Sequence, residues 1–222
     1  MPGEHEQTFA TRLREVTQKD HSEAETSEFI TTLMAGSRTS RDYVLLLSQY
    51  TYLYAALESE VRALSADPEL SPIFDLRLER ASHLHHDLDL LLPAHGFTDV
   101  PAPVEATVDY VRHIRYAAQE PARLVAHHYL RYLGDLSGGQ IIGSLVGRHY
   151  GVAQEALTMW RFEGIDKRKT YKDEYRARLN DYAVTPERAE ALLEEAAKGF
   201  TLNKALFRDL LTQSQLSTLL SA

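Results

Sequence analysis

From Ala122 to Tyr150 the chain contains no proline, and Leu124, Val125, Ala126, Tyr129, Ile141, Ile142, Leu145 and Val146 suit one long helix. Into its middle fall Gly134, Gly138 and Gly139, within the stretch Tyr129-Leu-Arg-Tyr-Leu-Gly-Asp-Leu-Ser-Gly-Gly-Gln140. Each interior glycine costs a helix about 1 kcal/mol relative to alanine, so three together need a compensating reason. One reason is close approach, because a backbone without Cβ atoms can lie almost against a flat ligand. The other is packing, since Gly139, Gly143 and Gly147 recur every fourth residue. Spacing alone leaves both open.

The remaining chain reads as helix throughout. Phe9, Leu13 and Val16 recur at helical spacing and bring Arg14 and His21 near one face of a first helix. Thr26 or Ser27 breaks or caps the chain before a short segment with Phe29, Ile30 and Leu33, which Gly36 stops. Thr39 or Ser40 then caps a long helix running through Tyr43, Tyr50, Tyr54 and Val61. Pro68 and Pro72 separate it from a helix predicted near 75–92, which Pro93-Ala-His-Gly96 ends. Pro101 and Pro103 precede a helix with Val108, Val111, Ile114 and Ala117; Pro121 suits the first turn of the glycine-bearing helix and Gly151 its end. A less regular connection over 153–164 leads to a basic helix with Lys169, Lys172, Tyr175, Arg176 and Leu179. Thr185-Pro186 opens a last long helix through Ala189, Leu192, Phe200 and Phe207. No alternating strand pattern or hairpin turn intervenes, so the expected fold is all-α, a single domain over 1–222 with an ordered core at about 8–212.

Composition narrows the function. With 222 residues and 44% hydrophobic content the chain can bury one sizeable core. The absence of cysteine excludes disulfides, thiolate ligands, cysteine nucleophiles and covalent cofactor attachment through sulfur. A net charge of −8 disfavours nucleic acid and anionic membranes. Met1 to Gln7 is polar and acidic, unlike a secretory signal, and the polar residues after Leu211 provide no spanning tail, so a soluble cytoplasmic protein is expected. Among the ten histidines, His83, His85 and His86 lie on a solvated helix without a completing carboxylate set. His127 and His128 are adjacent on a helix and point roughly 100° apart, so they cannot share one metal. No Glu-x-x-His occurs, which argues against a di-iron carboxylate bundle.

The run Tyr132-Leu-Gly-Asp-Leu-Ser-Gly-Gly-Gln140 closely resembles the distal-helix signature of heme oxygenases, the enzymes that open heme to biliverdin. Nine residues are far more specific than a lone Gly-x-x-x-Gly, and the resemblance spans roughly residues 8 to 212. It implies heme held between a proximal helix and a kinked, glycine-rich distal helix. The segment Arg14 to Phe29 resembles the proximal helix, which makes His21 the expected iron ligand and Glu25, one turn on, the group that orients its other nitrogen. Lys172 and Arg176 match the family's basic pair for the propionates. Arg14 stands where the family usually has lysine, which keeps the charge but changes the donor geometry, and Tyr129 adds a hydroxyl.

By the same resemblance Asp135 controls the reaction. An ordinary aspartate, with a pKa of about 3.9, is an acceptor at neutral pH and so acts by holding water near the iron rather than by donating a proton itself. Tyr54 and Arg131 resemble residues that anchor this network, and the backbone at Gly134 and Gly138 steers oxidation toward a meso carbon, α by family default. Phe200, Asn203 and Phe207 match pocket positions on the last helix.

The implied activity is O2- and reductant-dependent cleavage of heme b, iron protoporphyrin IX, which is both cofactor and substrate, to biliverdin, CO and Fe2+. The implied setting is a monomer serving iron acquisition. Nothing resembles a flavin or nicotinamide fingerprint, so a separate reductase or ferredoxin is expected to supply electrons, docking on a basic patch. Two other readings compete. A heme carrier or sensor needs His21 and the basic clamps but not Asp135; a helical interaction protein needs neither and uses every glycine for packing.

Overall fold

The computed structural model describes residues 7–220, with side chains to Leu216, and these residues form eight α-helices and no strand. Thr8 starts α1 (Phe9–Glu25), its hydroxyl accepting the Thr11 N–H at 3.4 Å. Thr26 ends it, and Ser27 precedes α2 (Glu28–Met34) without a side-chain cap. Thr39 and Asp42 form a reciprocal capping box that opens α3 (Ser40–Leu64): the Thr39 N–H donates to Asp42 Oδ2 at 2.9 Å while the Thr39 hydroxyl receives the Asp42 N–H.

The expected helix near 75–92 starts late. Asp75 accepts the Arg77 N–H and turns Leu76–Leu78 into a 3-10 turn, and α4 runs from Ala81 to Ala94. Its first N–H groups are satisfied from another element: Glu58 of α3 accepts the main-chain N–H of Arg80 at 2.5 Å and of Ala81 at 2.9 Å. A carboxylate 22 residues upstream thus performs the capping role, which no local pattern reveals.

Next come α5 (Glu105–Ala117), α6 (Pro121–Tyr150), α7 (Arg168–Tyr182) and α8 (Pro186–Leu220). Pro121 occupies the first turn of α6, and Gly151, at φ +66°, closes it in the left-handed conformation that suits glycine. The helix stays continuous through the glycine cluster. Two 3-10 turns, Gln154–Ala156 and Thr158–Trp160, connect α6 to α7. Thr185 caps α8, accepting the Arg188 N–H at 3.3 Å.

The last helix is the spine: α8 packs against α6, α1, α5 and α2, while α3 packs against α4, α5 and α6. Leu46, Leu47, Leu53 and Tyr54 of α3, Leu124 and Val125 of α6, and Leu192 and Leu206 of α8 are fully buried in one continuous core. No described helix is long and apolar enough to cross a membrane.

Candidate functional site

On α3, Tyr50, Tyr54 and Glu58 follow at intervals of four and share one face, which meets α6. The Tyr54 hydroxyl donates to Asp135 Oδ2 and accepts from Arg131 Nε at 3.1 Å. Arg131 Nη1 donates to Asn203 Oδ1 on α8 at 3.2 Å, and its guanidinium lies over the rings of Tyr50 and Tyr54 at 4.4 and 4.9 Å. A chain Asn203–Arg131–Tyr54–Asp135 therefore ties α8, α6 and α3 together. Burial pushes the Asp135 carboxyl above its ordinary range, against the pull of Arg131 and the Tyr54 hydrogen bond. This departs from the ordinary aspartate that sequence alone suggests, and the cause is desolvation. Burial also opposes the charge of Arg131, but Tyr54, Tyr50 and Asp135 outweigh it and keep the guanidinium protonated.

The glycines of α6 divide by face. A Cβ on Gly139 would lie 2.9 Å from Trp160 Cε3, and one on Gly143 3.2 Å from Trp160 Cδ1, so these two glycines make room for the indole. A Cβ on Gly147 would meet Leu157 at 3.4 Å. On Gly134 and Gly138 a Cβ would meet nothing within 4 Å. Packing accounts for Gly139 and Gly143, and an open surface flanking Asp135 accounts for Gly134 and Gly138. The packing reading offered by spacing holds for Gly139 and Gly143, and the open space at Gly134 and Gly138 is what the close approach of a ligand would need.

Trp160 is itself held from afar. Its Nε1–H donates to the Tyr43 hydroxyl at 2.9 Å, and buried Asp87 of α4 accepts the N–H groups of Thr158 and Met159, both at 2.9 Å, fixing the turn that carries the indole. Asp87, Glu58, Tyr50 and Trp160 are site-shaping residues that the sequence did not single out. The i,i+4 series Tyr50-Tyr54-Glu58 is the one local signal that could have found any of them.

His21 lies on α1 with its side chain 46% exposed. Glu25 Oε2 stands 3.4 Å from Nδ1, and Phe200 of α8 meets the ring edge-on at 5.8 Å between centroids. Nε2 has no hydrogen-bond partner among the described residues. Lys204 fastens α1 to α8 through Asp20 at 3.0 Å and Glu23 at 2.6 Å. Phe200 and Asn203, one turn apart on α8, thus serve both sides: one supports His21, the other holds Arg131.

The basic residues gather at a third place. Lys172 of α7 donates to the Ser137 hydroxyl of α6 at 3.0 Å, and Arg176 pairs with Asp173 on its own helix at 3.0 Å. Arg14 accepts the Thr17 hydroxyl at its carbonyl, but its side chain makes no hydrogen bond or ion pair among the described residues. Burial raises the pKa of Tyr129, and the charges of Arg176 and Arg14 pull against it. Burial and Arg176 push the Lys172 ammonium down. Phe207 stands apart: it is buried and stacks on Phe29 at 6.5 Å and 12°.

The sequence profile of the heme oxygenase family matches residues 7–209. The chain belongs to the heme oxygenase family. It is 34% identical over 204 residues to heme oxygenase 1 of the cyanobacterium Synechocystis, covering 91% of this chain and 84% of that protein. The fold is similar to the crystal structure of the Synechocystis heme oxygenase-1 in complex with heme, with a TM-score of 0.85, 31% identity, and coverage of 96% and 99% of the two chains. It is also similar to the heme oxygenase of Leptospira interrogans, at TM-score 0.82 and 32% identity, with 90% and 98% covered.

The residues of this heme oxygenase suit its substrate. An imidazole with a free Nε2, two glycines facing open space, and three cations that lack strong buried partners offer a ligand, a flat wall and counter-charges for carboxylates. Arg131 Nη2 is buried without a partner and leaves one donor available beside Asp135. The other histidines point elsewhere: His128 Nδ1 faces the Tyr175 hydroxyl at 2.8 Å, and His127 Nε2 faces Glu195 at 2.8 Å.

Proposed function

We propose that this heme oxygenase degrades heme with His21 as the iron ligand, Asp135 as the organiser of distal water, and Lys172, Arg176, Arg14 and Tyr129 as partners of the propionates, opening the ring at the α-meso carbon. The observation that carries the reading is the Asn203–Arg131–Tyr54–Asp135 chain, delivered to the helix face where Gly134 and Gly138 leave open space. When bound, heme supplies the iron that activates O2 and the porphyrin carbon that is oxidised.

The protein supplies position and protons. Glu25 near Nδ1 orients His21 so that Nε2 is presented for ligation. Tyr54 turns Asp135 Oδ2 into an acceptor, which leaves Oδ1 to hold a water and pass its proton onward without placing a bulky acid over the metal. A carrier has no use for this buried chain, whose desolvation the protein must offset with Arg131.

Electrons come from a separate reductase or ferredoxin with an acidic face, docking on the basic surface of Arg14, Lys169, Lys172 and Arg176. The reduction rate falls as ionic strength rises; a rate independent of salt overturns this docking mode. The working state we propose is a cytoplasmic monomer, which sedimentation at working concentration checks.

The test of the site is a visible spectrum of the full chain with one equivalent of hemin, followed in air with ascorbate and a ferrous chelator. Wild type loses the Soret band as biliverdin rises, and separation of the biliverdin isomers reads the regiochemistry. His21→Ala gives altered ligand bands and no turnover, partly restored by imidazole; a spectrum unchanged from wild type overturns the assignment of His21.

A further inference from the structure

Three helices converge on one carboxylate away from the heme site. Glu195 of α8 is 3% exposed, and its Oε1 accepts from His127 Nε2 of α6 at 2.8 Å and from His113 Nε2 of α5 at 2.5 Å. Its other oxygen, Oε2, accepts from Arg123 Nη1 at 3.2 Å. The ligand atoms of His113, His127 and Glu195 all lie within 4.8 Å of one another.

We propose that His113, His127 and Glu195 form a binding site for a divalent transition-metal ion. The donor set is two imidazole nitrogens and one carboxylate oxygen, which suits Zn2+ or Fe2+ and not the oxygen-seeking Mg2+ or Ca2+. The two Nε2 atoms both face Oε1, so a cation entering among the three atoms replaces two N–H···O contacts with two nitrogen ligands and one oxygen ligand after both protons move to Nδ1, with no net proton loss. No hydrogen bond at the buried Nδ1 of His127 holds its tautomer, so the shifted proton breaks no contact there, and the metal–nitrogen bond must offset the cost of one unpaired buried N–H. Arg123 holds Oε2 from behind and leaves Oε1 aimed at the imidazoles, as second-layer partners of metal ligands do.

Charge favours the same reading. Arg123 is paired with Glu120 at 2.7 Å, Glu194 at 3.2 Å and Glu195 at 3.2 Å, and among the described residues it is the only Lys or Arg side chain bonded to any of the three. Three carboxylates against one guanidinium leave negative charge for a cation to neutralise. His113, with its side chain 20% exposed, provides the entry and a position for a water as a further ligand. The ion would brace α5, α6 and α8, the last two being the helices that Arg131 and Asn203 join.

The test uses the full chain, stripped with a chelator and titrated with Co2+, whose d–d absorption reports coordination. One equivalent binds with visible bands and raises the melting temperature. His113→Asn, at the partly exposed ligand, weakens binding by more than about tenfold while keeping the helical circular dichroism, and Glu195→Gln does the same. A variant with His83, His85 and His86 all changed to Asn keeps the bands, which separates this site from the histidine-rich surface of α4. Zn2+ and, under argon, Fe2+ are added as competitors, and the one that displaces Co2+ at lower concentration identifies the preferred ion. No d–d bands, bands that persist in His113→Asn, or displacement by neither ion overturns the site and leaves a hydrogen-bonded His–Glu–His cluster.

Discussion

The Tyr54 hydroxyl donates to Oδ2 of Asp135 across the interface of α3 and α6, and the hydroxyl oxygen itself accepts from Arg131 Nε. This direction defines Asp135 as an acceptor in a place where burial favours its protonated form. Removing the donor therefore raises the Asp135 carboxyl further. Tyr54→Phe shifts the acid limb of the pH–rate profile upward, because the ionised carboxylate is lost at a higher pH than in wild type. An acid limb that stays in place would show that Asp135 does not titrate in the reaction.

Asp135→Ala keeps heme binding, since His21 and the basic residues lie elsewhere, but biliverdin formation falls by about 100-fold or more, the range expected on losing a positioned proton-handling group. Asp135→Asn keeps a hydrogen-bonding group of the same size and falls less. Chromatographic quantitation of biliverdin against heme consumed measures both. Full yield from the alanine variant is incompatible with the assigned role.

The division of the α6 glycines makes opposite predictions for the same substitution. Gly139→Ala gains about 1 kcal/mol of helix propensity but drives a methyl to 2.9 Å from the buried Trp160 ring, an overpacking cost of about 1–3 kcal/mol, so the net effect is neutral to destabilising. Gly138→Ala meets open space, so the heme-free protein gains stability. Its methyl then stands where heme should lie, and hemin affinity falls. Denaturant melts paired with Soret titrations separate the two positions; a Gly138→Ala protein that binds hemin as well as wild type removes that wall from the site.

Much of this was legible in the chain. Thr39, Pro121, Gly151 and Thr185-Pro186 mark helix ends through local chemistry, and α6 runs from Pro121 to Tyr150 as its lack of proline suggests. The start of α4 was not legible, because its cap comes from Glu58 on another helix. Asp87 was invisible for the same reason: its partners at Thr158 and Met159 lie about 70 residues away. Glu195 sits in an ordinary run of helix-forming residues, and only the meeting of α5, α6 and α8 reveals that two histidines share it. At the site itself, the resemblance named Asp135, Tyr54 and Arg131, but the two roles of the glycines required the position of Trp160.

The basic cluster predicts a graded loss of substrate affinity. Charge-assisted hydrogen bonds contribute about 1.5–3 kcal/mol each, so Lys172→Ala or Arg176→Ala weakens hemin binding by about tenfold or more, and the loss shrinks at high salt. Arg14→Lys, which keeps the charge of a side chain that pairs with nothing else, changes affinity little. Hemin titrations at two ionic strengths test all three. Equal affinity in Lys172→Ala would move the propionates away from α7.

His128 gives the fold a built-in sensitivity to acid. It is buried between Tyr132, Tyr175 and Phe74, with Nδ1 facing the Tyr175 hydroxyl at 2.8 Å. Burial pushes its pKa from the ordinary 6.5 down to about 3, a shift that Asp75 only partly opposes. Below about pH 6.5 the unfolded chain takes up a proton at this position and the folded chain does not, so stability falls as the pH drops from about 6.5 toward 3 and is unaffected by this group above that window. The slope from one such group reaches about 1.4 kcal/mol per pH unit. His128→Gln keeps an acceptor for Tyr175 but removes the titrating ring. Urea midpoints measured from about pH 7.5 down to about pH 4.5, which covers the upper part of that window, therefore fall less steeply for the variant than for wild type, even if its stability at about pH 7.5 is lower. Parallel curves for the two proteins would mean that the imidazole is solvated and protonated in the folded state.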